Sequence, residues 1–279
     1  MMRILEAAAV HTRLVAMLMD AACNLPEDVL RAFRHGLKNE SSASGREVFR
    51  QLLENAEYAA QSGLPLCQDT GTANFFVEHG ENVRIEGGLN ATLHQAVIDA
   101  YHQGHLRKST CHTLSRKNMG DNTPAVIHTT LVPGDTIRIA FLAKGGGSEN
   151  MSRCTMLTPS QGWKGIREFV IHRVAEAGPD PCPPIVIGLG IGGTFDTAPI
   201  NAKRALLREL DDTHPDPKIA YYEADLLESI NCLGIGPMGL GGRTTCLGVK
   251  IHAAPCHIAS LPLAINIQCH SIRHREVTF

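Results

Sequence analysis

Three cysteines sit where the chain has reason to hold its backbone still. Cys67 falls in Pro65-Leu66-Cys67-Gln68-Asp69-Thr70-Gly71, between a helix break and a polar turn. Cys182 lies in Asp180-Pro181-Cys182-Pro183-Pro184, where prolines fix φ just ahead of a strand-like run. Cys269 ends the apolar run Asn266-Ile267-Gln268-Cys269-His270. In a reducing compartment such thiols serve as metal ligands or nucleophiles. The chain has 9 cysteines and 14 histidines, but no Cys-x-x-Cys pair. Zinc ribbons, thioredoxin motifs and ferredoxin-type runs are therefore unsupported, and any metal must be gripped by cysteines remote in sequence. Spacing alone does not single out these three. Cys256 also precedes a histidine, Cys23 and Cys111 read as helix or loop residues, and Cys154, Cys232 and Cys246 read as small packing groups.

Glycine-rich segments offer a second chemistry. Gly188-Leu189-Gly190-Ile191-Gly192-Gly193 follows an apolar strand-like run and contains GxGxxG. A dinucleotide site also needs a helix starting at the third glycine and an acid closing the next strand. Here Thr194 to Pro199 intervene, and Asp211 and Asp212 end a helix instead. Nicotinamide binding is disfavoured, and the absence of Gly-Lys-Ser/Thr removes a Walker loop. GGGSEN at 145–150 and GIGGT at 190–194 are flanked by polar side chains, which suits N–H groups aimed at an anion; plain turns and close packing are the alternative.

The elements that must position these residues are legible in outline. Leu5, Ala8, Ala9, Thr12, Val15 and Ala16 recur at helical spacing, Pro26-Glu27-Asp28 opens a second helix, and Val48, Leu52, Leu53, Ala56 and Ala60 mark a third, broken by Gly63 and Pro65. A helix is expected over 89–106, and a strand, turn and strand over 130–142 with Pro133-Gly134-Asp135 as the turn. Further helices are expected over 160–177 and 199–210, and strands over 185–189, 245–251 and 257–267. The fold class is α/β, a helical N-terminal part followed by a Gly-rich α/β part.

Composition bounds the function. Over 279 residues, 43% are hydrophobic and only 5% aromatic, so the core is large and aliphatic. Lys and Arg number 26 against 28 Asp and Glu, which gives no basis for nucleic-acid binding. No long uninterrupted apolar run is present, so a membrane span is not expected. The opening segment is amphipathic, with Arg3, Glu6, His11, Arg13 and Asp20, unlike a signal peptide; a cytoplasmic location is expected.

The motifs LPLCQDTGTA, AKGGGSEN, CPPIVIGLGIGGTFD, IGPMGLGGRTT and CHIASLPLAINIQCHSIRH occur in this order. With them the chain, from about Ile4 to His274, resembles the α subunit of class I, iron–sulfur fumarate hydratases and of L(+)-tartrate dehydratase. The resemblance implies one iron–sulfur hydro-lyase α-type domain over 1–279, divisible into a helical part, 1–62, and a mixed α/β part, 63–279. It implies a [4Fe–4S] cluster on Cys67, Cys182 and Cys269, with Cys269 preferred to Cys256 because the family places its ligand in the QCH string. Gln68, Arg107 and Gly147 are then substrate-binding, and Asp69 and His257 catalytic. Lys144 and Arg243 are weaker anion-site candidates.

The reaction so implied is reversible hydration of fumarate to L-malate, with dehydration of L(+)-tartrate to oxaloacetate as the alternative. A non-catalytic cluster-binding relative is a third reading, and it would fit best had one of the three cysteines been lost. The family's second half is not in this sequence, so the resemblance also implies a separate β subunit, an α2β2 assembly and an α chain inactive alone. Ordinary roles exist for each residue: Asp69 as a turn former, Arg107 as a surface charge, His257 as a core histidine.

Overall fold

The computed structural model describes residues 2–279. In chain order the elements are β1 (Arg3–Leu5), α1 (Ala7–Cys23), α2 (Glu27–Asn39), α3 (Ala43–Ser62), β2 (Thr72–Gly80), β3 (Val83–Ile85), α4 (Leu89–Gln103), β4 (Val126–Val132), β5 (Ile137–Lys144) and α5 (Gly146–Asn150). They continue with β6 (Arg153–Leu157), α6 (Gly162–Ala177), β7 (Ile185–Gly192), α7 (Thr197–Ala205), α8 (Pro217–Asn231), β8 (Cys246–Ala254), β9 (Leu261–Gln268) and β10 (His274–Thr278). The chain is a mixed α/β protein with its helices front-loaded, as the sequence leads one to expect. By internal contacts it divides into two units. One takes the chain up to Pro26, Asn55–Gly146 and Arg273–Phe279; the other takes Glu27–Glu54 and Gly147–Ile272.

The first unit is built on the sheet β10-β5-β2-β4. Along β2, side-chain alternation turns Ala73, Phe75 and Val77 to the face covered by α1 and α4, where they meet Leu14, Leu18, Leu93 and Val97. Phe75 stands opposite Phe141 on β5 with ring centroids 5.4 Å apart, and opposite Ile127 on β4. The expected turn Pro133-Gly134-Asp135 is present but closes no hairpin, because β2 lies between β4 and β5. The turn passes over the end of β2, where Gly80 N donates to Thr136 O at 2.9 Å. A Cβ at Gly80 would lie 2.6 Å from Gly134 O, so only glycine permits this crossing.

The second unit carries the sheet β6-β9-β7-β8, with β7 parallel to β8 and antiparallel to β9. Ile185, Ile187 and Leu189 face α6 and α8, packing with Ile166, Val170, Val174, Leu226 and Ile230. Each such side chain, fully buried, contributes about 1.5–3 kcal/mol. On the opposite face the glycines of GLGIGG have a packing role. A Cβ at Gly188 or Gly190 would come within 2.0 Å of Ala202 O or Ala198 O, so their bare backbone lets α7 lie directly on β7. That helix begins at Thr197, beyond Gly193, and the GxGxxG string is thus a helix-packing surface. Gly190→Ala is expected to destabilise the protein by about 3 kcal/mol through overpacking; an unchanged unfolding midpoint in urea would contradict this contact.

Helix α8 is absent from the sequence expectation, although its signals are present. Asp216 Oδ1 accepts from Lys218 N and Ile219 N, Pro217 takes the first helical position, and Leu226 and Ile230 supply buried stripe positions. No helix among the described residues is long and apolar enough to cross a membrane.

Candidate active site

In the first unit, the loop after α3 is tied down on both sides of Cys67. Leu66 is buried, its N–H donates to Ala22 O at 2.9 Å, and its carbonyl accepts from Asn55 Nδ2 at 2.9 Å. Cys67 is half-buried and Gln68 exposed. Asp69 then folds back as an Asx turn: Oδ1 accepts from Gly71 N at 3.0 Å, and Oδ2 accepts from Gly146 N at 2.7 Å. The glycine-rich GGGSEN segment does aim an N–H at an anion, and that anion is the protein's own carboxylate. Arg273 completes the support, donating from Nη1 to Asp69 O at 2.7 Å.

The same loop is bonded to the segment that carries Arg107. Thr70 Oγ1 donates to Arg107 O at 3.0 Å. Asn122 Oδ1 accepts from Ser109 N and Thr110 N, while its Nδ2 donates to Gly71 O at 3.2 Å. Tyr101 also donates to Gly71 O, at 2.9 Å. Burial pushes the Tyr101 phenol well above its ordinary range, so it remains a fixed donor. Gln68, Asp69 and Arg107 are thereby brought together on tethered backbone, with the Arg107 side chain exposed.

In the second unit, the Cys182 and Cys269 segments meet at one end of the sheet. Cys182 has φ +54°, the left-handed region, between its prolines. Its carbonyl accepts from His270 Nδ1 at 3.0 Å and from His270 N at 3.4 Å. Cys269 Sγ receives a hydrogen bond from Gln268 Nε2 at 3.5 Å. Beside it, Gln268 Oε1 and Ser271 Oγ are buried without a partner among the described residues. Orphaned buried polar atoms next to a half-buried thiol suit a polar or charged group that is held there. Gly147 is exposed, and a Cβ on it would approach only Asp180 O, at 3.8 Å, so its backbone stays approachable. Glu149 fixes that turn, accepting from Lys203 Nζ at 2.6 Å and Asn266 Nδ2 at 3.0 Å.

His257 is not brought to this place. It precedes β9 while Cys269 follows it, and an eight-residue strand separates two ends by about 25 Å. His257 is exposed in a tight turn, where Nδ1 accepts from Ala259 N at 3.1 Å. With Cys256 it lines a cavity of about 390 Å³ whose other walls include Trp163, Tyr222 and Ile251. Cys256, whose thiol donates to Ser260 O, shares that distant end. Cys246, Cys23 and Cys154 pack against apolar clusters, and burial pushes the Cys246 thiol up to about 12 and raises the other two.

In two other glycine-rich segments, N–H groups bond within the protein. Thr194 N donates to Thr197 Oγ1 at 2.7 Å. Arg243 N and Thr244 N both donate to the Glu40 carboxylate. Burial raises the Glu40 carboxyl, but the backbone donors Arg243, Ser42 and Thr244 outweigh it and hold the group below its usual range. Lys144 is buried at the end of β5.

Cys67 belongs to the first unit and Cys182 and Cys269 to the second. Among the described residues, no group of three or more His, Cys, Asp or Glu stands ready to hold a metal ion. The donor set nevertheless fits an iron–sulfur centre in kind: exposed or half-buried cysteines on tethered backbone, and unsatisfied polar atoms beside one of them.

Comparison with known proteins gives a consistent picture. The fumarate hydratase (Fumerase) family profile matches residues 11–278. A protein of Methanocaldococcus jannaschii, provisionally described as L(+)-tartrate dehydratase subunit alpha, is 43% identical over 266 residues, covering 93% of each chain. The L(+)-tartrate dehydratase subunit alpha of Escherichia coli (strain K12) is 32% identical over 265 residues, covering 91% of this chain and 88% of its own.

Proposed function

Since the chain belongs to the fumarate hydratase (Fumerase) family, we propose that it is the α subunit of an iron–sulfur hydro-lyase that interconverts fumarate and L-malate. The observation that carries the reading is the bond from His270 to the Cys182 carbonyl, which sets the segments of two remote cysteines, Cys182 and Cys269, at one end of a sheet beside unsatisfied polar atoms. Cys67, Cys182 and Cys269 are the proposed ligands of a [4Fe–4S] cluster. When bound, such a cluster supplies a Lewis-acidic iron without a protein ligand.

The chain's own residues supply the rest of the chemistry. Adding or removing water next to a carboxylate requires proton transfer at carbon or at the departing oxygen, and Asp69 is the proposed acid–base group. Its two backbone donors fix the direction of its carboxylate. Arg107 offers a planar fork to a substrate carboxylate. Gln68 donates its amide, and Gly147 permits the backbone to approach the ligand closely. Donors of this kind meet the negative charge that builds on a substrate carboxylate as the α-proton leaves.

The relatives are named as alpha subunits, which supports a separate β subunit as partner, and an α2β2 assembly is proposed. A reducing cytoplasm is the compartment in which the three thiols remain available. The relatives' names also favour a second reading, dehydration of L(+)-tartrate. The test is turnover of fumarate and of L(+)-tartrate, side by side, by anaerobically reconstituted protein copurified with its partner. Fumarate is expected to give the larger kcat/KM. A larger value for tartrate transfers the assignment to the second reading, and no turnover of either by cluster-loaded complex defeats both.

A further inference from the structure

Arg273 heads the fully buried side chains in volume, at 1% exposure, and no carboxylate forms an ion pair with it among the described residues. Its side chain makes one hydrogen bond, from Nη1 to Asp69 O at 2.7 Å, and its Nε is buried without a partner. A Cβ built on Gly145 would lie 3.2 Å from Asp69 Oδ2 and 3.7 Å from Arg273 Nη2, so carboxylate and guanidinium flank the same bare stretch of backbone. The Arg273 carbonyl is itself held in the sheet by Ala143 N at 2.9 Å. Burying a guanidinium without a paired anion is costly, and here the burial places that guanidinium's one hydrogen bond on the Asp69 main chain.

We infer that Arg273 is a positioning residue for the reaction: it clamps the main chain at Asp69 and so aims the carboxylate that handles the proton. The inference rests on the proposed role of Asp69. Arg273 anchors the residue's carbonyl, while Gly71 and Gly146 anchor its two carboxylate oxygens. Three anchors on one residue leave its carboxylate a single direction. Loss of the first frees the peptide while leaving substrate carboxylate binding, through Arg107, unaltered.

The test uses the complex with its partner, prepared anaerobically, and reads kcat, KM, visible cluster absorbance per chain and melting temperature. Arg273→Gln is expected to lower kcat by about 10²-fold, the scale of a 1 Å misplacement, with KM and cluster absorbance little changed. Arg273→Lys keeps a charged donor and is expected to recover much of the lost kcat. An unchanged kcat in Arg273→Gln overturns the inference, as does loss of cluster and turnover in equal proportion. Should that variant fail to fold, Arg273→Met carries the test, because it keeps the length and apolar stem of the side chain and removes its donors to Asp69 O. It is expected to reduce kcat about 10²-fold with cluster retained, again the scale of a 1 Å misplacement, and full activity overturns the inference. Asp69→Asn separates the two levels. Full activity there defeats the catalytic role and the clamp together, whereas an inactive Asp69→Asn beside a fully active Arg273→Gln defeats the clamp alone.

Discussion

Asp69→Asn is expected to lower kcat by a factor on the order of 10³, within the range for loss of a general acid or base, while the visible absorbance of the cluster persists. The substitution keeps shape and removes charge and proton affinity. It also has a structural cost that can be stated in advance. Both carboxylate oxygens accept backbone N–H groups, from Gly71 and Gly146, and an asparagine presents only one acceptor. One N–H must then face an NH2 group, which costs about 1–3 kcal/mol of stability. A lower melting temperature therefore accompanies the kinetic loss and does not by itself prove a structural role. The decisive quantity is kcat measured per intact cluster. A value within about threefold of wild type, under 1 kcal/mol in barrier height, would reduce Asp69 to the turn former that its Asx geometry already makes it.

That dual character illustrates what a sequence yields and where it stops. The helical repeats of α1, α3 and α4 are legible because one face must be apolar, and the periodicity is local. The order of the sheet is not local. Pro133-Gly134-Asp135 is sound turn chemistry, yet β2 occupies the place between β4 and β5, and only Gly80 at the crossing hints at it. The GLGIGG string has the spacing of a nucleotide motif, while its first two glycines, Gly188 and Gly190, are explained by two carbonyls of α7 at contact distance.

The candidate site divides along the same line. Prolines around Cys182 announce a fixed backbone, but its bond to His270 joins residues 88 apart. His257 stands close to Cys269 in the string CHIASLPLAINIQCH, and an extended strand turns that closeness into separation. Arg273 lies next to last in the string CHIASLPLAINIQCHSIRH, but Ser-Ile-Arg-His alone reads like any surface segment until its burial is known.

The second large effect concerns the thiols. Cys182→Ala and Cys269→Ser are each expected to abolish stable cluster binding under anaerobic reconstitution, whereas Cys256→Ser retains it. The contrast is useful because Cys256 and Cys269 sit in similar sequence, each followed by histidine, and differ in place. Cys269 follows β9 beside Gln268 Oε1 and Ser271 Oγ, and Cys256 precedes it, bonded to Ser260 O. Neither Cys182 nor Cys256 is buried, so their removal opens no core cavity and should leave the apoprotein's melting temperature nearly unchanged. Cys246→Ser would be a poor control, since that thiol is fully enclosed, with burial pushing it up to about 12, and a hydroxyl there disturbs the core. Iron and sulfide content per chain, with the visible spectrum, gives the readout. Retained cluster in Cys269→Ser together with loss in Cys256→Ser would move the ligand to the opposite end of β9, about 25 Å away by strand length. The bond from His270 to Cys182 would then do no more than brace a loop, and the proposed gathering of ligands at this end of the sheet would have to be abandoned.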